Sequence, residues 1–355
     1  MDKTQPIIAV NYYFTSKELE NRIFALDFTG GGSELMRAFR AVTNARGAEA
    51  VTLDTVDFHD PAVKHVLYFD YNWRMLRTDP FLAKIPYEKR ALVLIEPANI
   101  NPSMYFVPWL RNRFHTVFTW DASLLRKNPS YVRVNVPVGA EPAKYRENPF
   151  QDISFPTKRF LVAISRNRWS YMPQSTYSFR KRAYRYFMRA FPDGFDLYGQ
   201  GWNKPCVFYE RVLGHPMFAS WRGEIEDSWD AKVRTIAKYK FALCFENSAS
   251  EPGYISEKIT DCFCARCVPI YYGSKGTDEL IPRDAWIDLR DFRNFRELAR
   301  FIEEMDEARY NRYIGAIDRF MASDRLSFFS TDHFCGVIAD RLVGANSEGL
   351  CGEKK

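Results

Sequence analysis

Short apolar runs alternate along this chain with stretches whose apolar residues recur every three or four positions, and that alternation predicts strands and helices in turn. The class it implies is α/β. In the first half, Pro6–Asn11, Ala50–Asp54, His65–Phe69 and Arg90–Ile95 are each long enough for a buried strand and too short for a helix. Ser33–Arg46 reads as an amphipathic helix, capped by Ser33 after the glycine run Gly30–Gly32. That run is a weak phosphate-loop candidate, since glycines before a helix serve equally well as a turn. Three prolines among polar residues mark 141–157 as a linker, with a first domain over 1–150 and a second over 151–340. Glu297–Phe320 has a helical pattern, and 341–355 reads as a frayed tail.

The densest information lies between Tyr239 and Ser274. Phe241–Phe245 is a strand-length apolar run that stops at Glu246, Asn247 and Ser248. After a loop containing Pro252 and Gly253, the residues Ile255, Ile259, Cys262 and Phe263 share one helical face, and Val268–Tyr272 closes the unit as a second strand. Strand, loop, helix and strand in this order predict a parallel crossover, whose ligands bind outside the carboxyl ends of the strands. The unpaired N–H groups of a helix start, with Lys258 beside them, favour an anion such as a diphosphate. Glu257 fits phosphate alone poorly and a sugar hydroxyl well, while Asn247 and Tyr254 offer hydrogen bonds and a ring face. The plainer alternative is a first turn in which Glu257 complements the helix dipole and Lys258 is solvated.

Phe245–Ser248 (F-E-N-S), then Tyr254–Lys258 (Y-I-S-E-K), then Val268–Gly273 (V-P-I-Y-Y-G) resemble the signature of the α1,3/α1,4-fucosyltransferases, glycosyltransferase family ten. Upstream, Phe160–Ser165, the residues Arg180, Tyr184 and Phe187, and Phe195–Gly199 are similar to the family's strand, arginine-bearing helix and next strand. Ile287–Phe292 is similar to a segment downstream. Gly253 and Ser256 depart from the family's usual Asp and Thr.

The resemblance implies a GT-B fold: two Rossmann-like domains, an N-terminal one for the acceptor, a C-terminal one for the donor, and the active site in the cleft between them. It implies inverting transfer of L-fucose from GDP-β-L-fucose to a hydroxyl of N-acetylglucosamine or glucose in a glycan such as N-acetyllactosamine or lactose, in α1,3 or α1,4 linkage. Arg180 and Lys258 would hold the pyrophosphate, Glu257 would bind fucose hydroxyls or the developing cation, and Asn247 and Tyr254 would position nucleotide or sugar. With cationic side chains in that role no cofactor is required, and a divalent metal would be at most stimulatory. The base on the acceptor hydroxyl would be Glu96, which follows a buried-looking strand and precedes the loop Pro97–Pro102; a cap or an arginine partner is its alternative role. Asp54, Asp57 and Asp70 stand in reserve.

The 355 residues suffice for two ordinary domains, and 46% hydrophobic with 26% charged residues fits a globular chain. No window approaches a membrane span, and MDKTQPIIAVNYYF shows no signal-peptide core, so the expected location is cytoplasmic, with peripheral contact at the inner membrane face as an extension. Seven cysteines fit that compartment. Cys262, Cys264 and Cys267 mimic a zinc spacing, but within a helix and lacking a nearby fourth ligand they read as buried thiols, so no metal site is expected. A net charge of +6 is modest and thinly spread; its densest patch is Arg180–Arg182 with Arg185 and Arg189, of which a diphosphate needs only two or three charges, the rest reading as solvated surface. This basic helix admits a rival reading as a nucleotide- or nucleic-acid-binding protein without turnover, although no nucleic-acid partner is expected. A GT-B transferase using another nucleotide-sugar is the nearer rival.

Overall fold

The computed structural model describes residues 5–11, 19–25, 32–137, 142–206, 208–213, 218–226 and 228–344. The chain divides into two compact units, one formed by 1–139 with 328–355 and the other by 140–327.

The first unit opens with β1 (Ile7–Asn11), α1 (Ser33–Ala45), β2 (Glu49–Thr52), β3 (Val63–Phe69) and α2 (Trp73–Thr78). It continues with β4 (Arg90–Leu94), α3 (Pro102–Phe106), α4 (Pro108–Arg111), β5 (Thr116–Thr119), α5 (Ala122–Lys127) and β6 (Val132–Arg133). All six strands pair in parallel in the order β2-β1-β3-β4-β5-β6. Both faces of the sheet are covered: Ile8, Val10, Leu67 and Phe69 pack beneath α1, and Ala9, Val66, Tyr68 and Leu92 pack on the other side. This two-sided burial is why the strands read as continuous apolar runs.

The second unit contains β7 (Arg159–Ile164), α6 (Tyr177–Ala190), β8 (Phe195–Tyr198), α7 (Phe208–Leu213) and α8 (Trp229–Ala237). There follow β9 (Tyr239–Phe245), α9 (Glu257–Cys264), β10 (Val268–Tyr272), β11 (Ile287–Asp288), α10 (Phe295–Glu303) and α11 (Glu307–Ala322). Its sheet runs β11-β10-β9-β7-β8, again all parallel. Strand order reverses between β7 and β9, which places the binding crevice at their carboxyl ends. Phe187, Phe195, Phe241 and Trp202 fill the core beneath α6.

The last helix, α12 (Thr331–Val343), returns to the first unit, where Phe334, Cys335, Ile338 and Leu342 join the core under α1 and Arg46 donates to Asp340. The sequence reading kept 151–340 together and called 341–355 a tail. In the structure the second unit ends near Ser327, because the apolar face of α12 fits α1, and residues through Gly344 are described. The stretch Glu297–Phe320 is two helices: Asp306 accepts from the N–H of Arg309 and starts α11 afresh. Of the glycine run, Gly30 and Gly31 lie outside the described residues, while Gly32 caps α1 at φ 82.

Gly199, after β8, has φ 117, and a Cβ there would collide with the backbone carbonyl of Ser165. Gly47 also has a positive φ, 77, with open space around it. Urea denaturation should therefore separate two costs: Gly47→Ala losing about 1 kcal/mol of strain energy, and Gly199→Ala several times that or failing to fold.

Candidate active site

Glu246, the residue after β9, has no solvent exposure, so its carboxyl oxygens must find their partners within the protein. Its Oε1 accepts from the backbone N–H of Ser256 at 2.9 Å and from the Tyr271 hydroxyl at 3.1 Å, and its Oε2 accepts from the Ser256 hydroxyl at 2.6 Å. One carboxylate thus ties β9, the entry to α9, and β10 together. Ser256 is the N-cap residue of α9, but its hydroxyl is taken by Glu246 and makes no cap bond, and the Glu257 N–H is met by that residue's own carboxylate. Gly253 in the preceding loop has φ 96, where an L-residue is strained, which accounts for glycine at the position where the resembled family usually has Asp.

Lys258 reaches back over this turn. Its Nζ lies 2.8 Å from the Ser256 hydroxyl, 3.3 Å from Glu257 and 3.5 Å from Glu246. Glu257 is in turn 3.8 Å from Lys232 of α8, and Lys232 pairs closely with buried Asp261, which also accepts from the Trp229 indole at 2.7 Å. Along Lys232, Glu257, Lys258 and Glu246 the signs alternate. Burial alone would raise the pKa of Glu257, but Lys258 and then Lys232 outweigh it and hold the carboxyl down at about 2. Lys258 is pushed upward, burial being outweighed by Glu257 and Glu246. Both are ionised at neutral pH.

Arg180 comes from α6 and meets this cluster from the side. The segment before α6 is stitched to the end of β9: the Thr176 N–H donates to the Asn247 carbonyl at 3.1 Å, and Ser175 bridges to Ser248. Arg180, 5% exposed, then donates through Nη2 to the carbonyls of Phe245 and Glu246 at 3.0 and 3.3 Å and approaches Asn247 Oδ1 at 3.5 Å, its guanidinium over the Tyr177 ring. Its Nε is buried with no hydrogen-bond partner in the protein.

Of the residues singled out from sequence, Arg180, Asn247, Glu257 and Lys258 therefore converge at the carboxyl end of β9. Tyr254 differs: its ring is 3% exposed and packed inside, and its carbonyl accepts from Ser274, so it supports the loop from below and offers no ring face. Glu96 lies in the first unit, just past β4, where its N–H donates to both oxygens of buried Asp70 and its carbonyl accepts from the Tyr105 hydroxyl. Asp57 caps a local turn, and Asp54 accepts from the Glu20 N–H. Lys181, read as solvated, is buried on Glu210 at 3.1 Å and Cys206 at 2.9 Å. Cys262, Cys264 and Cys267 are buried free thiols, burial raising Cys264 and Cys267 well above the usual thiol range. Among the described residues, no three His, Cys, Asp or Glu side chains are grouped to hold a metal ion.

Sequence reasoning missed Glu246 as the anchor and the pair Lys232–Asp261. A carboxylate closing an apolar run, ten residues before a serine at a helix entry, was a usable signal; the α8 contact was not.

Two α/β units, each built on a wholly parallel sheet, give the chain the architecture of the GT-B fold. Residues 171–340 match the family model "Glycosyltransferase family 10 (fucosyltransferase) C-term". Among curated relatives, alpha-(1,3)-fucosyltransferase 7 of Bos taurus is 30% identical over 233 residues, covering 64% of this chain and 56% of the relative. The chain thus spans little more than half of that relative's length. A crystal structure of an alpha1,3-fucosyltransferase with GDP superposes at TM-score 0.53 with 16% identity, over 97% of this chain and 93% of that one. The DNA-modifying enzyme β-glucosyltransferase reaches the same TM-score at 12% identity, over 95% and 99%. At these identities the two structures share the fold.

Because the folded pKa of Glu257 lies below its ordinary value near 4.5, its ionisation stabilises the fold fully above about pH 4.5, and this contribution disappears as pH falls through about 2. Denaturation of wild type and Glu257→Gln across pH should show a gap that is constant above pH 5 and closes towards pH 2.

Proposed function

We propose that this protein transfers L-fucose from GDP-β-L-fucose to a hydroxyl of N-acetylglucosamine or glucose in a glycan, in α1,3 or α1,4 linkage and with inversion. The observation that carries the reading is the convergence of Arg180, Lys258 and the start of α9 at the carboxyl end of β9, in a segment that matches the family 10 model. A glycosyl donor leaves behind a diphosphate whose charge grows as the bond breaks, so fixed cations and oriented N–H dipoles aimed at it lower the barrier. Arg180 supplies a planar fork held in place by the strand carbonyls, and Lys258 a point charge held by Glu246. Glu257, ionised and braced by Lys232, accepts from fucose hydroxyls or faces the oxocarbenium-like charge. Asn247 hydrogen-bonds nucleotide or sugar, and Tyr254 shapes the loop that presents it.

On the acceptor side Glu96 is the base, at the carboxyl end of β4 where α/β sheets place their ligands. With side-chain cations neutralising the leaving group, a divalent metal is at most stimulatory. No helix among the described residues is long and apolar enough to cross a membrane. A cytoplasmic location fits, with the arginine face of α6 (Arg182, Arg185, Arg189), which lines an open groove of about 640 Å³, as the surface for peripheral contact with anionic lipid.

Incubation with GDP-fucose, GDP-mannose and UDP-galactose against lactose, N-acetyllactosamine and its 1,3-linked isomer should give acceptor-dependent nucleotide release with GDP-fucose alone, and release should persist in excess EDTA. Turnover with a UDP-sugar and none with GDP-fucose refutes the reading.

Lys258→Ala should weaken GDP binding in calorimetry and cost about 2 to 4 kcal/mol of transition-state stabilisation, with Lys275→Ala unchanged as a control. Glu96→Gln should leave GDP-fucose affinity near wild type and slow transfer by about 10² to 10⁴ fold.

A further inference from the structure

The neighbour of Glu96 is a second carboxyl with no place yet in the reaction. Asp70 sits at the carboxyl end of β3, one strand over from β4, and is 4% exposed. Its backbone adopts φ 48, the left-handed region that non-glycine residues enter at a cost, and such strain persists where the surroundings over-determine the residue. What determines it is visible. The Asp70 N–H donates to Val93 on β4 at 2.9 Å, which aims the side chain across the end of that strand. Its Oδ1 then accepts from the N–H groups of Ile95 at 3.0 Å and Glu96 at 3.1 Å, and Oδ2 from Glu96 at 3.2 Å. The two residues following β4 are therefore held by one side chain from β3.

The far side of this arrangement is closed as well. The Trp120 indole donates to the Ile95 carbonyl at 2.9 Å, and the Tyr105 hydroxyl to the Glu96 carbonyl at 3.0 Å. Asn101, itself 4% exposed and donating to Tyr71, adds a side-chain hydrogen bond to Asp70. Backbone on both sides of Glu96 is fixed, which sets the point from which its side chain departs.

We propose that Asp70 is the positioning residue of the reaction: it locks the backbone that carries Glu96 and, as a second carboxyl beside it, strengthens Glu96 as a base. This rests on the reading of Glu96 as the base. Two carboxyls at close range titrate as a pair, since the charge on one raises the proton affinity of the other. Burial first, and the Glu96 charge second, push Asp70 up to about 7, opposed by the N–H bonds from Glu96 and Ile95 and by Asn101. As pH rises through 7 the second charge appears and Glu96 becomes the better proton acceptor. Below 7 the pair holds one more proton and the base is weaker. A glutamate alone would place the acidic limb of the rate profile in the ordinary carboxylate range; the pair places it near neutrality.

The test is the pH profile of kcat with GDP-fucose and a saturating acceptor, for wild type, Asp70→Asn, Asn101→Ala and Glu96→Gln. Asp70→Asn keeps an oxygen to accept from Ile95 and Glu96 but removes the charge. It should lose the limb near pH 7, leave a single limb at least one unit lower, reduce plateau kcat about tenfold, and leave KM for GDP-fucose unchanged. Asn101→Ala removes a hydrogen bond that favours ionised Asp70 and should move the limb above 7. A purely structural role for Asp70 lowers kcat without shifting either limb, and that result overturns the proposal. If Asp70→Asn does not fold, the direction of the Asn101→Ala shift decides alone: upward supports the pair and no shift overturns it. Normal turnover in Glu96→Gln refutes the base reading itself, a different outcome from an inactive Glu96→Gln beside an unshifted Asp70→Asn.

Discussion

A carboxylate with no access to water is the constraint on which the second unit's crevice depends. Around the Glu246 carboxylate, just past β9, stand a backbone N–H, two hydroxyls and an ammonium, and each partner comes from a place that function needs fixed. The N–H and one hydroxyl belong to Ser256, so the entry to α9 is set. The other hydroxyl belongs to Tyr271, so β10 is in register. The ammonium is Lys258. Satisfying one buried charge thus aims the helix start and the lysine at the same point, and the cost of burying Glu246 is recovered as preorganisation of the site.

The same economy appears around Arg180. A guanidinium that caps the carbonyls of Phe245 and Glu246 is held by the strand end beside which an anion would bind, while its buried Nε remains without a protein partner. Alternation of sign along Lys232, Glu257, Lys258 and Glu246 leaves no net excess of charge that would distort the turn. Packing below is apolar and aromatic, and Gly273 is part of it: a Cβ at that position would strike the Tyr271 hydroxyl and push it off Glu246.

Much of this was legible in the chain. The β9–α9–β10 unit emerged because both of its strands are buried on two faces and therefore read as unbroken apolar runs, and because the polar residues between them have only the strand end to occupy. Val268–Tyr272 was placed to the residue. Less legible was anything decided by partners distant in sequence. Glu246 looked like no more than the polar stop after a strand, and only the fold brings Ser256 and Tyr271 to it. Lys181 looked solvated among arginines, and Glu210 buries it. Tyr254 looked like a stacking platform, yet its place behind the loop buries the ring. The break at Asp306 was readable, as an N-cap residue inside a long helical pattern, and was passed over because apolar spacing continued through it.

The return of α12 to the first unit has a consequence for how the protein is made. The core beneath α1 includes Phe334, Cys335, Ile338 and Leu342, so the first unit lacks one wall until α12, which follows the whole second unit in the chain, has left the ribosome. The second unit has all of its strands and their covering helices by Ser327. Synthesis from the N-terminus usually lets domains mature in the order they emerge. Here the order is inverted: the second unit can complete its core while the first still exposes the face awaiting α12, and the nascent chain carries an unfinished apolar surface while the whole second unit is made.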